Sequence, residues 1–230
     1  MQFVRNAIPN SFTLANLACG VLGIIYIFNG NMEEACYLIW LAAAFDFFDG
    51  FLARALKATS EIGKQLDSLA DLVTFGVLPS LIYYQLLTPQ LASPWPYLCL
   101  ATALLSALRL AKFNIDDDQQ VDFKGLTTTA NGILTSAIPL IIVGDSFLAF
   151  YFADPWFLLV FCLFFSALLV VPVTLFSLKF SNFKLSENAP RFLLILLAII
   201  LGIVFREAAI PLILLSYLLL SLLTMKKNKK

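Results

Sequence analysis

The sequence predicts an all-α integral membrane protein, a polytopic bundle of about eight transmembrane helices with a short interfacial helix at the N-terminus. Of its 230 residues, 60% are hydrophobic, and the mean hydropathy is +0.89. Apolar segments recur at the length that a bilayer requires, and no long polar linker separates them. The formal net charge is zero, which gives no basis for nucleic-acid binding. We therefore expect a single membrane-embedded domain over residues 1–230.

The elements follow from apolar periodicity along the chain. Residues 1–10 are mildly amphipathic, which predicts a helix along the membrane surface, and they lack the pattern of a cleavable signal peptide. Eight apolar spans follow, each near the length that crosses a bilayer. They cover residues 12–28, 35–56, 62–87, 96–113, 129–151, 156–178, 189–205 and 209–224. Gly144 and Asp145 interrupt the fifth span and can mark its end or a break.

The distribution of basic residues predicts the orientation. Eight spans place both termini on one side, and residues 225–230 carry four lysines. If that side is the cytoplasm, Arg206 is the one basic residue of the fifteen in the sequence that falls on the far side. Such an asymmetry is typical of membrane proteins with basic cytoplasmic loops. We therefore expect both termini, and the site described next, to face the cytoplasm.

The most informative stretch is residues 46–71, DFFDGFLARALKATSEIGKQLDSLAD. Its first half carries a set of small and charged residues at helical spacing on one face: Asp46, Asp49, Gly50, Ala53 and Arg54. Its second half repeats the pattern, because Gly63, Asp67 and Asp71 are spaced by four residues. Residues 55–62 between the two halves form a short polar turn. Two adjacent antiparallel helices are thus predicted to direct two carboxylate pairs toward each other.

Four carboxylates in one place repel one another and require compensation. Hard divalent cations provide it, and oxygen-only ligands favour Mg²⁺, Mn²⁺ or Ca²⁺. Gly50 and Ala53 remove side-chain bulk beside the carboxylates, and Arg54 offers a forked donor to phosphate oxygens. The combination predicts phosphoryl-transfer chemistry on a metal-bound diphosphate. Because the chain contains no histidine, a general base must be Asp, Glu, Lys, Tyr or a metal-bound group.

Two other interpretations of the aspartates stay open. They can form a proton or ion relay in a transporter, or they can be ion-paired structural groups. A relay does not need the glycine, alanine and arginine inserted between the acids, and a structural pair does not need four acids. The pattern therefore favours metal–phosphate chemistry.

Polar residues elsewhere also have two interpretations. Asn10 and Thr13 can mark a helix start with capping side chains, or they can face the aspartates. Arg109 and Lys112, three residues apart at the end of the fourth span, can be cytoplasmic anchors. Alternatively, they bind an anionic acceptor or a lipid phosphate.

The spacing Asp-x2-Asp-Gly-x2-Ala-Arg-x8-Gly-x3-Asp-x3-Asp resembles the signature of the CDP-alcohol phosphatidyltransferases. All eight fixed positions are present between Asp46 and Asp71. The runs RLAKFN (109–114), FKGL (123–126) and ANG (130–132) resemble the phosphatidylserine synthase branch of this family. Threonines at 127–129 stand where that branch commonly has a proline, which is a departure from the pattern.

The resemblance implies an enzyme that transfers a phosphatidyl group from CDP-diacylglycerol to the hydroxyl of L-serine and releases CMP. It implies two divalent cations, Mg²⁺ or Mn²⁺, held by Asp46, Asp49, Asp67 and Asp71. Asp71 is in addition the implied general base for the serine hydroxyl. The residues it assigns to the CDP-lipid are Asn10, Thr13, Gly50, Ala53, Arg54, Thr59, Ser60 and Gly63.

The resemblance also bears on acceptor, architecture and assembly. Arg109 and Lys112 become candidates for acceptor binding. A six-helix core is expected over residues 1–180, with additional helices over 189–224, and a homodimer is expected because family members often form one. Glycerol phosphate or inositol phosphate as acceptor, and an archaeal-type lipid as donor, stay open as alternatives.

Overall fold

The computed structural model describes residues 2–58, 60–115, 123–144, 146–175 and 185–228. This part of the chain contains ten α-helices: α1 (Gln2–Phe28), α2 (Met32–Ala55), α3 (Glu61–Asp71), α4 (Leu78–Leu87), α5 (Ala101–Ile115), α6 (Thr128–Val143), α7 (Ala149–Phe152), α8 (Pro155–Leu168), α9 (Leu185–Phe205) and α10 (Ala209–Asn228). A π-helix (Leu72–Val77) joins α3 to α4. Two 3₁₀ helices, Trp95–Leu100 and Arg206–Ala208, precede α5 and α10.

Five helical runs are long and apolar enough to cross a bilayer: Ala7–Phe28, Met32–Ala55, Glu61–Leu87, Trp95–Ile115 and Asn188–Thr224. The last run is 37 residues long and covers most of α9 and α10, which pack against each other. Two shorter apolar helices, Thr128–Val143 and Pro155–Leu168, complete the bundle. The predicted polytopic helical membrane protein is confirmed, and each of the eight predicted spans contains a helix.

The N-terminal segment differs from the expectation of a separate interfacial helix. Gln2–Phe28 is one helix, and Pro9 lies inside it. The interpretation of Asn10 and Thr13 as residues of a helix start is therefore wrong, because the helix begins eight residues before Asn10.

The fifth and sixth spans are shorter than predicted. Helix α6 ends at Val143, with Gly144 as its C-cap, so the expected continuation to residue 151 is broken. Helix α8 ends at Leu168 and not at residue 178. Pro172 follows within four residues, and proline has no N–H for a helical hydrogen bond. The chain after α8 then forms a different contact.

That contact is a two-residue antiparallel ladder between β1 (Phe123–Lys124) and β2 (Thr174–Leu175), the only departure from an all-helical fold in the described residues. Gly125 follows β1 with a φ of +82°, and its N–H donates to the Val173 carbonyl oxygen at 2.8 Å. A side-chain carbon at Gly125 would lie 3.0 Å from the Leu168 carbonyl oxygen. Glycine is required here for both reasons. The ladder fixes the chain immediately before α6.

Helix α1 packs closely on the π-helix and α4 through two glycines. A side-chain carbon at Gly20 would overlap Thr74 Oγ1 and lie 3.0 Å from Thr74 Cα. One at Gly23 would overlap the Leu78 side chain. Thr74 Oγ1 in turn donates to the Asn16 carbonyl oxygen at 3.1 Å. Small residues at a helix interface allow this approach, as is common in membrane bundles.

We expect the Gly20→Ala substitution to destabilise the bundle, because its methyl group must displace the backbone at Thr74. The expected loss is about 1–3 kcal/mol of unfolding free energy, the usual cost of overpacking. Thermal unfolding in detergent measures it, with Gly202→Ala on α9 as the matched control. No described atom outside the local helix backbone lies within 4 Å of a side-chain carbon at Gly202. Equal unfolding temperatures for the two variants would contradict the close approach.

Candidate functional site

The first two aspartates extend the buried stripe of α2. Ala35, Ile39 and Ala42 are completely buried and lie three or four residues apart, so they share one helical face. Asp46 and Asp49 continue the same spacing over the last turns of the helix. The face that packs inside the bundle therefore changes from apolar to acidic, and the Asp49 side chain is only 6% exposed.

The other two aspartates lie on α3. The predicted polar turn is present, and Ser60 caps the helix because its Oγ accepts from the Gly63 N–H at 3.0 Å. Asp67 lies one turn beyond Gly63, and Asp71 is the last residue of α3 and buried. Helices α1 and α3 pack against each other, as do α1 and α2. Helix α1 thus contacts both acidic segments.

Three of the four carboxylates converge. Oxygens of Asp46, Asp49 and Asp67 all lie within 4.8 Å of one another. Thr13 Oγ1 donates to Asp49 Oδ2 at 2.7 Å, and Thr129 Oγ1 donates to Asp46 Oδ2 at 3.4 Å. Asp67 Oδ1 is buried and has no hydrogen-bond partner among the described residues. An all-oxygen donor set with one unpartnered buried oxygen fits a hard divalent cation, so this cluster can hold a metal ion.

Asp71 lies outside that three-residue group and has a different environment. Its Oδ1 accepts from Asn16 Nδ2 of α1 at 3.1 Å. Its carboxylate interacts electrostatically with Asp46 and Asp67, and it attracts the Arg109 guanidinium of α5. The Asn16 amide therefore holds the Asp71 carboxylate in place, and the positive charge of Arg109 stabilises its ionised form.

The π-helix begins directly after Asp71. It runs from Leu72 to Val77, and the close contact of Gly20 with Thr74 lies within it. Segments with this hydrogen-bonding pattern are rare and occur frequently at functional sites. Nothing in the periodicity of the sequence distinguishes it from an ordinary helix.

A cavity of about 510 Å³ opens beside the cluster. Its walls include seven of the eight residues that the sequence assigns to the CDP-lipid: Asn10, Thr13, Gly50, Ala53, Arg54, Ser60 and Gly63. Asp49 and Asp67 also line it, so the cavity and the carboxylate cluster are continuous. The eighth residue, Thr59, lies outside the described residues.

Arg109 and Lys112 have different surroundings, although both lie on α5. Arg109 is half-buried near Asp71, whereas the Lys112 side chain is exposed. Asn114, further along α5, fastens this helix to α3: its carbonyl oxygen accepts from Lys64 Nζ at 2.8 Å, and its Nδ2 donates to Ser68 Oγ at 2.9 Å. These bonds hold the end of α5 beside the acidic helix.

The sequence interpretation missed two side chains that hold the aspartates. Asn16 follows Thr13 by three residues and so lies on the same helical face, and this spacing could have identified it as a second contact to the aspartates. Thr129 belongs to the threonine run that departs from the phosphatidylserine synthase pattern, and its hydroxyl reaches Asp46.

The fold is that of an integral membrane protein, and its carboxylate cluster can bind a cation. A cavity lined by an arginine and small residues lies next to this cluster. The family model of the CDP-alcohol phosphatidyltransferases matches residues 6–166. The chain belongs to this family.

Individual relatives carry more specific names. A CDP-diacylglycerol–serine O-phosphatidyltransferase of Bacillus subtilis is 40% identical over 121 residues, which are 53% of this chain and 68% of the relative. An enzyme of the same name from Helicobacter pylori is 34% identical over 128 residues, 55% of this chain and 54% of the relative. An archaetidylserine synthase of Methanothermobacter thermautotrophicus is 30% identical over 141 residues, 58% of each chain. The match thus spans little more than half the length of several relatives.

Proposed function

We propose that this protein transfers a phosphatidyl group from CDP-diacylglycerol to the hydroxyl of L-serine and releases CMP. The observation that carries the proposal is the continuity of the Asp46, Asp49 and Asp67 cluster with a cavity that also contains Arg54. A diphosphate at this boundary can contact both the cation site and the arginine. The names of the relatives from B. subtilis and H. pylori support serine as the acceptor.

The proposed cation site consists of Asp46, Asp49 and Asp67, with Asp71 beside them, and the proposed ion is Mg²⁺ or Mn²⁺, with two ions as the expected number. Such ions, when bound, neutralise the charge that develops on the diphosphate. Thr13 holds Asp49 in place through its hydroxyl, and Thr129 does the same for Asp46. Fixed carboxylates need little reorganisation during the reaction.

The proposed reaction is a displacement at the phosphorus that carries the diacylglycerol. The serine oxygen forms a bond to this phosphorus, the bond from phosphorus to the bridging oxygen breaks, and CMP leaves with that oxygen. Asp71 accepts the proton of the serine hydroxyl. Asn16 donates to Oδ1 of Asp71, which orients the carboxylate and leaves Oδ2 for the proton.

The remaining cavity residues are proposed to bind the CDP-lipid. Gly50 and Ala53 leave room for the nucleotide, and Arg54 binds phosphate oxygens bidentately. Asn10, Thr13, Ser60 and Gly63 line the same space, and Thr59 is proposed for the same side. The acyl chains stay in the bilayer along α2, whose Phe47, Phe48 and Phe51 side chains are exposed.

We place this site and both termini at the cytoplasmic face, where soluble serine is available. The site lies near the end of α2, the turn that follows it, α3 and the end of α5, and these segments carry Arg54, Lys57, Lys64, Arg109 and Lys112. Basic residues at one membrane face favour a cytoplasmic location. The division into a core over 1–180 and additional helices over 189–224, and the homodimer, stay predictions.

We expect the Gly50→Leu substitution to block CDP-lipid binding without disturbing the fold. A side-chain carbon at Gly50 would meet its nearest described atom, Arg54 Nη1, at 3.8 Å, so the new side chain fits but enters the cavity. The expected result is a rise of about tenfold or more in the KM for CDP-diacylglycerol, roughly the loss of one good contact. Gly202→Leu is the matched control. Equal KM values for CDP-diacylglycerol in the two variants would show that this cavity does not bind the CDP-lipid.

The acceptor is tested by supplying candidate acceptors one at a time. The purified protein is given CDP-diacylglycerol, Mn²⁺ and one of serine, glycerol phosphate or inositol phosphate, and CMP release is measured. We expect release with serine alone. Release with a phosphorylated alcohol and not with serine would keep the reaction class and overturn the acceptor. Arg109 and Lys112 would then be the proposed phosphate contacts, because a second anionic group needs cations.

A further inference from the structure

Asn131, in the first turn of α6, has an unusual buried side chain. It is 1% exposed, yet neither Oδ1 nor Nδ2 has a hydrogen-bond partner in the described parts of the chain. Its backbone is satisfied, because its N–H donates to the Thr127 carbonyl and its own carbonyl accepts from Thr135 Oγ1 at 2.9 Å. A buried amide without partners costs free energy, and folded proteins contain few of them. The side chain is therefore available to a partner that the described residues do not supply.

Two more unpartnered polar groups lie on α5. Ser106 Oγ and Arg109 Nε are both buried without a hydrogen-bond partner among the described residues. The two residues are three positions apart and share a helical face. A side-chain carbon at Gly76 would lie 3.0 Å from Ser106 Cβ, so this face of α5 borders the π-helix.

Helix α6 borders the same π-helix from another side. A side-chain carbon at Gly132, the neighbour of Asn131, would lie 2.9 Å from the Phe75 ring. Helices α5 and α6 therefore both pack on a segment that starts immediately after Asp71, and the two helices also contact each other. The opposite charges of Arg109 and Asp71 attract each other, and α5 also contacts α3, of which Asp71 is the last residue.

The donors and acceptors of the Asn131 amide, the Ser106 hydroxyl and the Arg109 guanidinium determine which ligand can pair with all three groups. Arginine is only a donor, whereas the asparagine amide and the serine hydroxyl both donate and accept. A carboxylate pairs with the donors of Arg109 and Asn131, and an ammonium group pairs with Asn131 Oδ1. A phosphate offers acceptors only and would leave Oδ1 unpaired. The set matches a small molecule that carries both an ammonium and a carboxylate group.

We propose that the Asn131 amide, together with Arg109, binds the ammonium and carboxylate groups of the acceptor and so selects a zwitterionic amino alcohol over a phosphorylated one. This inference rests on the proposed function and adds the residue that determines acceptor specificity. A zwitterion held by Asn131 and Arg109 presents its hydroxyl to Asp71. The acceptor site is then separate from the CDP-lipid cavity, whose lining does not include Asn131 among the described residues.

The test is the kinetics of CMP release by the Asn131→Leu variant, which keeps the number and branching of the side-chain heavy atoms and removes the amide. We expect the KM for serine to rise by about tenfold or more, the factor for losing hydrogen bonds to a charged group. The KM for CDP-diacylglycerol should stay unchanged. Without substrates, the unfolding temperature should be equal to or higher than that of the wild type, because an unpartnered amide is removed.

A second variant and a control complete the design. Asn131→Asp keeps an acceptor for ammonium but repels carboxylate, so it should lower the kcat/KM for serine relative to that for ethanolamine. Thr135→Val, one turn further along α6, removes a hydroxyl that donates to the Asn131 carbonyl, and it should leave the KM for serine unchanged.

The outcomes separate the two proposals. A wild-type protein that releases CMP with serine, combined with a normal serine KM in both Asn131 variants, overturns the role of Asn131 alone. A fall in unfolding temperature with equal rises in both KM values for Asn131→Leu also overturns it, since the amide would then be structural. A wild-type protein without serine-dependent CMP release overturns the proposed function itself.

Discussion

The Asp71→Asn variant is expected to lose turnover and keep substrate binding. We expect kcat to fall by about three orders of magnitude, within the range that general acid–base catalysis contributes. An asparagine at this position can still accept from Asn16 Nδ2 through its oxygen, so the side chain stays in place. It cannot take a proton from serine. Binding of CDP-diacylglycerol in the presence of Mn²⁺, measured separately, should be close to that of the wild type.

Asp154→Asn is the control for this prediction. Asp154 caps α8 by accepting from the Phe157 N–H at 2.7 Å, and asparagine caps a helix equally well. The control should therefore have normal turnover. Retained turnover in Asp71→Asn would show that another group accepts the proton, and loss of lipid binding would show that Asp71 is instead a ligand for the cation.

The Asp67→Asn variant is expected to lose the response to metal. Asp67 brings an unpartnered buried oxygen to the three-carboxylate cluster. Without metal, the variant should unfold at the same or a higher temperature than the wild type, because one of several mutually repelling charges is removed. The stabilisation that Mn²⁺ gives to the wild type should disappear. Turnover should fall by at least about 100-fold, the upper range for losing even an outer-shell partner of a metal.

Thermal unfolding with and without Mn²⁺, combined with CMP release, measures both parts of this prediction. Asp154→Asn again serves as the control, since it removes a carboxylate that is remote in sequence from the cluster. A normal Mn²⁺-dependent shift in Asp67→Asn would contradict a cation site at Asp46, Asp49 and Asp67.

The membrane fold and the acidic cluster could be predicted because each has a local signal. Apolar length identifies the spans, and the three- and four-residue spacing of Asp46, Asp49, Asp67 and Asp71 assigns them to two helical faces. The polar turn before Glu61 could be predicted as well, because polar residues separate the two acidic segments. The convergence of Asp46, Asp49 and Asp67 follows from two helices joined by so short a turn.

The missed features depend on contacts between distant segments. The residues after α8 pair with Phe123–Lys124, and no local pattern indicates that ladder. The π-helix after Asp71 packs against Gly20 of α1, a contact between segments that are distant in the sequence. The unpartnered amide of Asn131 could not be predicted at all, since only the packed structure shows which buried groups lack partners.

The most direct test of the account is CMP release by the purified protein in detergent with CDP-diacylglycerol and Mn²⁺, with and without L-serine, and with a chelator added to a parallel sample. We predict that CMP appears only when serine is present and that the chelator stops its release. Absence of release with serine, or release that continues when the metal is chelated, would contradict a metal-dependent transfer of the phosphatidyl group to serine.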